Sequence, residues 1–225
     1  MKIDILTIFP EMFDGFLNTS IIKRAIDSGK VDIKVHNFRD YSMDKHKKVD
    51  DYPYGGGAGM VLMCEPIFRA IEAIRTDDSL VIMLSPSGKV FSQKMAREFS
   101  LKKHLIFLCG HYEGFDERIK TIVDMEISIG DYVLTGGEVP SMVITDAVTR
   151  LIPGVITSES LDSESFNDGF LDYPNYTRPE VFRGMRVPEV LLSGHHKNIE
   201  KYRQEEKVRL TKENRSDLSG GDING

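Results

Sequence analysis

The run Leu105-Ile106-Phe107-Leu108-Cys109-Gly110-His111-Tyr112-Glu113-Gly114 decides the class of fold. Five apolar residues form a short strand, and a glycine-bearing turn follows at once. The same sequence of events recurs twice. Leu80–Leu84 is apolar and leads into Ser85-Pro86-Ser87-Gly88. Glu126–Ile129 leads into Gly130-Asp131-Tyr132-Val133-Leu134-Thr135-Gly136-Gly137-Glu138. Helical spacing fills the intervals, with helices expected over 65–75, 92–102, 115–123 and 140–152. Upstream, Lys2–Phe9 reads as a buried strand, 11–30 as a helix stopping at Gly29, and Val31–Phe38 as an alternating strand. The polar, then glycine-rich stretch 39–59 reads as a loop. Strands alternating with helices predict an α/β domain with a largely parallel sheet.

Composition narrows the class further. The chain has 225 residues, 40% of them hydrophobic and 28% charged, enough to bury a core and too apolar for a disordered chain. No apolar run approaches the roughly 20 residues that span a bilayer. Asp4 interrupts the first apolar stretch, so the N-terminus does not read as a signal peptide. The two cysteines, Cys64 and Cys109, have neither metal spacing nor a disulfide framework, and a reducing cytoplasm is expected.

After Pro153 the texture changes. Thr157–Asp168 is acidic and serine-rich and reads as a linker or lid. Pro174, Pro179 and Pro188 punctuate an extended segment, and 198–210 is a candidate helix. The expected organisation is a body over residues 1–157, a linker over 158–175 and a small, mostly helical domain over 176–225. From Arg178 to Arg215 there are ten Lys/Arg and six Asp/Glu, a net +4 within a chain of net −6. That asymmetry fits a nucleic-acid-facing segment on an acidic body, and equally an ordinary solvated helix. Lys197, Lys201, Arg203, Lys207 and Arg209 are the candidate phosphate contacts.

Ligands in open α/β sheets bind outside the carboxyl ends of the strands. Three glycine-bearing loops after three strands therefore suggest one pocket, with backbone able to approach a ligand closely. The standard nucleotide signatures are absent. There is no P-loop, and Gly55-Gly56-Gly57-Ala58-Gly59-Met60 lacks the last glycine of a dinucleotide fingerprint. His195-His196 are adjacent, so on a helix they diverge and do not form a joint metal site.

The combination of motifs is distinctive. Asp50-Asp51-Tyr52-Pro53-Tyr54-Gly55-Gly56-Gly57-Ala58-Gly59-Met60, Cys109 to Gly114 and Ser128 to Glu138 closely resemble the bacterial tRNA (guanine-N1)-methyltransferase family. So do Arg150-Leu151-Ile152-Pro153-Gly154-Val155, Tyr176-Thr177-Arg178-Pro179-Glu180 and Leu192-Ser193-Gly194-His195-His196. The likeness runs from Ile5 to about Arg215. It implies the SPOUT superfamily, whose parallel sheet carries a deep trefoil knot that holds the cofactor, followed by a small helical tRNA-binding domain. The implied reaction moves a methyl group from S-adenosyl-L-methionine to N1 of the guanine immediately 3′ of the anticodon. A homodimer with the active site at the subunit interface is implied as well, with tRNA as partner and no membrane.

Carried over motif by motif, the cofactor residues are Leu84, Ser85, Pro86, Gly110, Tyr112, Glu113, Ile129, Gly130, Asp131, Tyr132, Val133, Leu134, Gly136, Gly137 and Pro140. Magnesium is implied as an aid, with no ligand set visible. The chemistry asks for two further groups. Guanine N1 carries a proton at neutral pH, so a carboxylate must take it as the methyl group is attacked. Negative charge then grows on O6 and calls for a guanidinium. The family's base is an aspartate in an Asp-Ser-Phe motif, whereas this chain has Glu164-Ser165-Phe166. Glu164 is thus the expected base, with Asp162 and then Asp168 as alternatives. Arg150 matches the electrostatic position and Asp172 a second acidic one. The chain closes sooner after its basic segment than is usual in the family, so a shortened tRNA-binding domain is expected. Two other readings stand beside this one: a related enzyme acting on ribose or another base, and a non-catalytic tRNA-binding protein of the same fold.

Overall fold

The computed structural model describes residues 1–157, 164–166 and 168–219. The chain divides into two compact units, Met1–Ile156 and Thr157–Gly225.

The first unit is built on five parallel strands. They are β1 (Lys2–Thr7), β2 (Asp32–Asn37), β5 (Ser79–Val90), β6 (His104–Leu108) and β7 (Met125–Ser128), in the order β2-β1-β6-β5-β7. Every pairing in this sheet is parallel, as the alternation of strands and helices predicts. A short antiparallel hairpin, β3 (Asp50–Asp51) with β4 (Val61–Leu62), stands apart from it.

Two apolar layers cover the sheet, and the two-residue period of a strand sorts side chains between them. Ile3, Ile5, Ile82, Leu105 and Phe107 face one layer with Phe13, Met95, Phe99, Ile144 and Val148. Those partners come from the turn Pro10–Phe13, α4 (Gln93–Ser100) and α5 (Glu138–Thr149). Leu6, Val81, Met83, Ile106 and Leu108 face the other, against Phe38, Ile119 and α3 (Cys64–Ile74). All five residues of β6 are buried, which explains the apolar run Leu105–Leu108 that follows His104.

Several boundaries depart from the sequence expectation for identifiable reasons. The helix expected over 11–30 is three pieces: a 3₁₀ turn Pro10–Phe13, α1 (Asp14–Leu17) and α2 (Ser20–Asp27). The break falls where the Asn18 side chain donates to the Asp14 carbonyl and Thr19 Oγ1 to the Gly15 carbonyl. Such local bonds compete with helix continuation. Ser20 then turns at φ +54°. β5 runs past Leu84 to Val90, with Leu84 and Lys89 both registered against Ile127. Ser85-Pro86-Ser87-Gly88 is therefore a bulge inside a strand rather than a loop after it. Only glycine fits at position 88, because a Cβ would strike the Ile127 backbone. The expected helix 115–123 is a 3₁₀ segment, Glu117–Ile122.

At the amino-terminal end of the sheet, the fully buried Asp4 carboxylate ties strands together. It accepts from His36 Nε2 at 2.7 Å and His104 Nε2 at 2.7 Å, and Lys2 Nζ lies 2.6 Å away. His104 continues the chain through Nδ1 to Ser79 Oγ at 2.7 Å. The network thus crosses from β2 through β1 and β6 to β5.

Burial pushes the Asp4 carboxyl up, but the bonds from His36, Lys2 and His104 outweigh it and hold it at about 2, below the ordinary 3.8. A carboxyl held low stabilises the fold above its unfolded pKa, and that contribution is lost as pH falls through the folded one. Stability should therefore decline between about pH 4 and pH 2 from this group. Asp4→Asn should cost about 3 kcal/mol near neutrality, as for breaking a buried charge network, and should flatten that part of the profile. Urea unfolding of both proteins across pH 6 to 2.5 checks this; parallel curves would contradict it.

The second unit contains a small hairpin, β8 (Val181–Phe182) with β9 (Met185–Arg186), and a long helix, His196–Asn214. That helix is longer at both ends than the expected 198–210. Tyr173 stacks under Arg203, whose guanidinium carbon is 4.6 Å from the ring centroid. The Leu171 N–H donates to Thr211 Oγ1 at 2.9 Å. These contacts tie the segment that follows the linker to one face of the helix. Among the described residues, no helix is long and apolar enough to cross a membrane.

Candidate functional site

At the carboxyl end of the sheet, the β5 bulge and the two glycine loops converge on one cleft of about 420 Å³. That lies within the range of small-molecule sites. Fourteen of the fifteen expected cofactor positions line it; Asp131 alone does not, although it sits inside the third loop. His111, Thr135, Glu117 and Lys120 also line it and were not singled out from the sequence.

The loops are held against one another by close backbone approach. The Gly137 N–H donates to the Gly110 carbonyl at 2.9 Å. A Cβ on Gly137 would come within 2.6 Å of the Cys109 Cα, and one on Gly110 within 2.7 Å of the Phe115 ring. At Gly136 a side chain would collide with His111 and Glu138. These glycines serve packing between loops as well as access to the cleft.

Beneath them lies a buried polar group that sequence reasoning missed. Glu138 is the first residue of α5 and only 1% exposed. Thr7 Oγ1, at the end of β1, donates to Glu138 Oε1 at 2.5 Å. His111 Nε2 meets Glu138 Oε2 at 2.8 Å, and the His111 ring packs edge-on to Phe9 with centroids 4.7 Å apart. One carboxylate therefore joins the end of a strand, the second loop and the start of a helix. The available signal was a charge at the opening of a largely apolar stretch, Glu138-Val139-Pro140-Ser141-Met142-Val143.

The neighbouring Cys109 is fully buried, and burial, reinforced by Glu138, pushes its thiol well above the ordinary value. Among the described residues, no group of three or more His, Cys, Asp or Glu side chains is placed to hold a metal ion.

The cleft walls differ in polarity. Leu84, Pro86, Ile129 and Pro140 contribute apolar surface, whereas Glu113, Glu117 and Lys120 bring charge. Tyr132, Val133 and Leu134 line it while remaining 55%, 86% and 41% exposed.

The expected catalytic residues are divided between the units. Arg150 belongs to the first and terminates α5, its N–H donating to the Asp146 carbonyl at 3.1 Å. Glu164 and Asp172 belong to the second, where Asp172 is bonded to Ser165, the residue after Glu164. The Asp172 N–H donates to Ser165 Oγ at 2.9 Å, and the Phe166 N–H to the Phe170 carbonyl at 2.7 Å. Asp162 lies outside the described residues. Asp168 is engaged by Lys207 Nζ at 2.7 Å; burial raises its pKa, but the lysine outweighs that and lowers it.

This pairing also corrects the expected list of phosphate contacts. Lys207 is 5% exposed and its ammonium is spent on Asp168, so it is a structural tether. Arg209 is bracketed by Glu206 and Glu213. A helix of mixed charges binds its own carboxylates, which a count of charges cannot register.

Glu138→Ala should leave Thr7 and His111 without their shared acceptor inside the protein. A loss of about 3 kcal/mol in urea unfolding is expected, from two buried groups left unsatisfied, with faster amide exchange at Gly137. A loss under about 1 kcal/mol with unchanged exchange would contradict the linking role.

The arrangement can now be set beside known proteins. Residues 1–221 match the family described as tRNA (Guanine-1)-methyltransferase TrmD. A tRNA (guanine-N(1)-)-methyltransferase of Ureaplasma urealyticum serovar 10 is 62% identical over 219 residues, 97% of this chain and 96% of that one. One from Dictyoglomus turgidum is 58% identical over 97% of this chain and 89% of its own length. One from Staphylococcus haemolyticus is 57% identical over 97% and 90%. Relatives of nearly this length occur, so the expected shortening does not set the chain apart from all of them. With sequence identity of this order across both units, the chain belongs to the tRNA (guanine-1)-methyltransferase TrmD family.

Proposed function

We propose that this protein transfers a methyl group from S-adenosyl-L-methionine to N1 of the guanine immediately 3′ of the tRNA anticodon. The products are 1-methylguanosine and S-adenosylhomocysteine. The observation that carries this reading is the convergence of three glycine-bearing segments on one cleft, in a chain that matches the family over both units.

The cleft suits the methyl donor. Its volume fits a nucleoside with a short amino-acid arm, and its walls offer apolar surface beside backbone polar groups. Leu84, Pro86, Ile129 and Pro140 would enclose the adenine, with Gly110 and Gly136 bringing main chain close. Glu113 and Tyr112 would meet the polar arm. When bound, S-adenosyl-L-methionine supplies an electrophilic sulfonium methyl group. Gly136→Val would drive a side chain into His111 and Glu138 and so displace both loops. Donor binding measured by calorimetry should weaken at least tenfold; unchanged affinity would contradict the assignment.

The protein's own groups then handle charge and proton. Glu164 takes the N1 proton as the methyl group is attacked, which turns a poor nucleophile into a competent one. Arg150 faces O6 and offsets the negative charge that gathers there. Asp172, bonded through its N–H to Ser165 next to Glu164, holds the guanine edge. Glutamate in place of the family's aspartate keeps the carboxylate and lengthens its reach by one methylene. Asp168 is the weaker alternative, because Lys207 already holds it.

The protein acts as a homodimer in this reading, with the second subunit covering the exposed rim Tyr132-Val133-Leu134 and Glu164 of one subunit serving the cleft of the other. The first unit carries the family's trefoil knot. The second unit binds tRNA, with Lys197, Lys201 and Arg203 as the remaining candidates for phosphate.

Single-turnover methyl transfer to an unmodified tRNA transcript tests the chemistry. Glu164→Gln should lower the rate by about 10² to 10⁴, with donor and tRNA affinities little changed because the interaction matters in the transition state. Glu164→Asp should keep most activity, and Asp162→Asn should be nearly silent. A dead Asp162→Asn beside a live Glu164→Gln would move the base to Asp162.

A further inference from the structure

In the second unit, the helix His196–Asn214 grips the stretch that follows Glu164, with residues that the reaction described above does not use. Arg203, Lys207 and Thr211 stand four residues apart, so they share one face of the helix, and Arg215 follows at its end. Each of the four meets a residue between 166 and 173. Arg203 lies over the Tyr173 ring at 4.6 Å, and Lys207 Nζ donates to Asp168 Oδ2 at 2.7 Å. The Leu171 N–H donates to Thr211 Oγ1 at 2.9 Å, and the Arg215 guanidinium carbon is 5.8 Å from the centre of the Phe166 ring.

The stretch is also closed on itself. The Phe166 N–H donates to the Phe170 carbonyl at 2.7 Å and the Asp172 N–H to Ser165 Oγ at 2.9 Å, so the two residues after Glu164 are tied to the returning chain. Phe166 sits at φ +68°, a left-handed conformation uncommon for a residue with a side chain, which persists only where the surroundings enforce it. Asp168 joins the two sets of bonds. Its Oδ1 accepts from the Phe170 N–H at 3.2 Å, and its Oδ2 accepts from Lys207. One carboxylate thus shapes the turn and fastens it to the helix.

The helix side of this junction is buried. Lys207 and Thr211 are covered, and Thr211 Oγ1 donates to the Lys207 carbonyl at 2.7 Å, so the two form one fixed unit. The Asp168 side chain, by contrast, is 49% exposed. Taking an ammonium out of water is costly, and for stability alone an apolar side chain of the same size serves as well or better. What a buried lysine adds is direction: it bonds one carboxylate at one place and so fixes where the turn lies.

We infer that Lys207 and Asp168, with Thr211, are positioning residues for the carboxylate of Glu164. The inference rests on the methyl-transfer reading, in which Glu164 takes the N1 proton. A proton acceptor works only within hydrogen-bond reach of its proton, and a misplacement of about 1 Å can cost about a hundredfold in rate. Glutamate adds a torsion that aspartate lacks, so the backbone beneath it has more to control. That backbone is held through Ser165 and Phe166 to the returning chain, and through Asp168 and Leu171 to the helix. Phosphate contact is the competing role for a lysine in this unit, but an ammonium buried against its own carboxylate is shielded from a phosphate backbone.

The test uses the full-length protein, an unmodified tRNA transcript and single-turnover methyl transfer. Lys207→Met keeps the length of the side chain and leaves behind a carboxylate already half in water, so no buried charge is stranded. Thr211→Val, nearly the same shape, removes the acceptor for the Leu171 N–H and serves where Lys207→Met does not fold. Amide exchange at Leu171 and Asp172 should quicken in both. The rate should fall about ten- to a hundredfold in Lys207→Met and by less in Thr211→Val. Donor affinity, tRNA affinity and the salt dependence of tRNA binding should match the parent. In a Glu164→Gln background neither substitution should lower the rate further, whereas independent effects would multiply to within about twofold. An unchanged rate, unchanged exchange or multiplying effects each overturn the positioning role. A loss of tRNA affinity with a shallower salt slope overturns it in favour of phosphate contact. If Glu164→Gln alone keeps the parent's rate, the assignment of the base fails and the positioning role with it. If the parent does not methylate the transcript, the underlying reading fails first.

Discussion

The carboxylate of Glu138 is the constraint on which the cleft depends. It is buried at the point where three segments meet, and each of its oxygens has a protein partner: Thr7 at the end of β1 and His111 in the second glycine loop. A buried carboxylate without partners would cost several kcal/mol, so strand end, loop and helix start must keep this geometry together. The glycines around it follow from the same demand. Gly136 and Gly137 lack side chains because His111, Glu138 and the Cys109 backbone occupy the space. Loops held this way present a prearranged surface, which is what a ligand site needs to avoid an ordering cost on binding.

The opposite end of the sheet is held by a second polar network centred on Asp4. The two networks divide the labour of a parallel sheet. Apolar layers on both faces supply most of the stabilisation, and buried polar clusters at the two ends fix how strands and loops meet. The cleft lies at the carboxyl end, where open α/β sheets place their ligands. The hairpin β3–β4 extends the same wall through its bonds to Glu113 and Gly114.

Much of this was legible in the residues. The five strands of the parallel sheet and the helices 65–75, 92–102 and 140–152 follow from period and punctuation, and each falls within a few residues of its expected bounds except β5, which runs on from Leu84 to Val90. The break at Asn18 and Thr19 was not legible, because the competition there is decided by side-chain bonds to Asp14 and Gly15 rather than by apolar spacing. The bulge at Ser85–Gly88 was read as a loop for a similar reason: serine, proline and glycine look like a turn, and only the renewed pairing of Lys89 and Val90 with β7 makes it part of a strand. In the site, the resemblance supplied fourteen positions that line the cleft and one, Asp131, that does not, and it left out others such as His111, Glu117, Lys120 and Thr135. It did not supply Glu138 and Thr7, whose importance lies in burial and mutual geometry. Nor could charge counting separate Lys207, buried against Asp168, from lysines that face solvent.

The chemistry assigned to the cleft leaves a mark that ribose methylation does not. Methylation at N1 blocks the Watson–Crick edge of guanine, whereas methylation of ribose leaves it free. An unmodified tRNA transcript incubated with the protein and S-adenosyl-L-methionine can therefore be read by reverse transcription. The account predicts an arrest one nucleotide 3′ of the guanine that follows the anticodon, dependent on both protein and methyl donor. Methyl incorporation without that arrest, an arrest at another position, or no incorporation at all would contradict it.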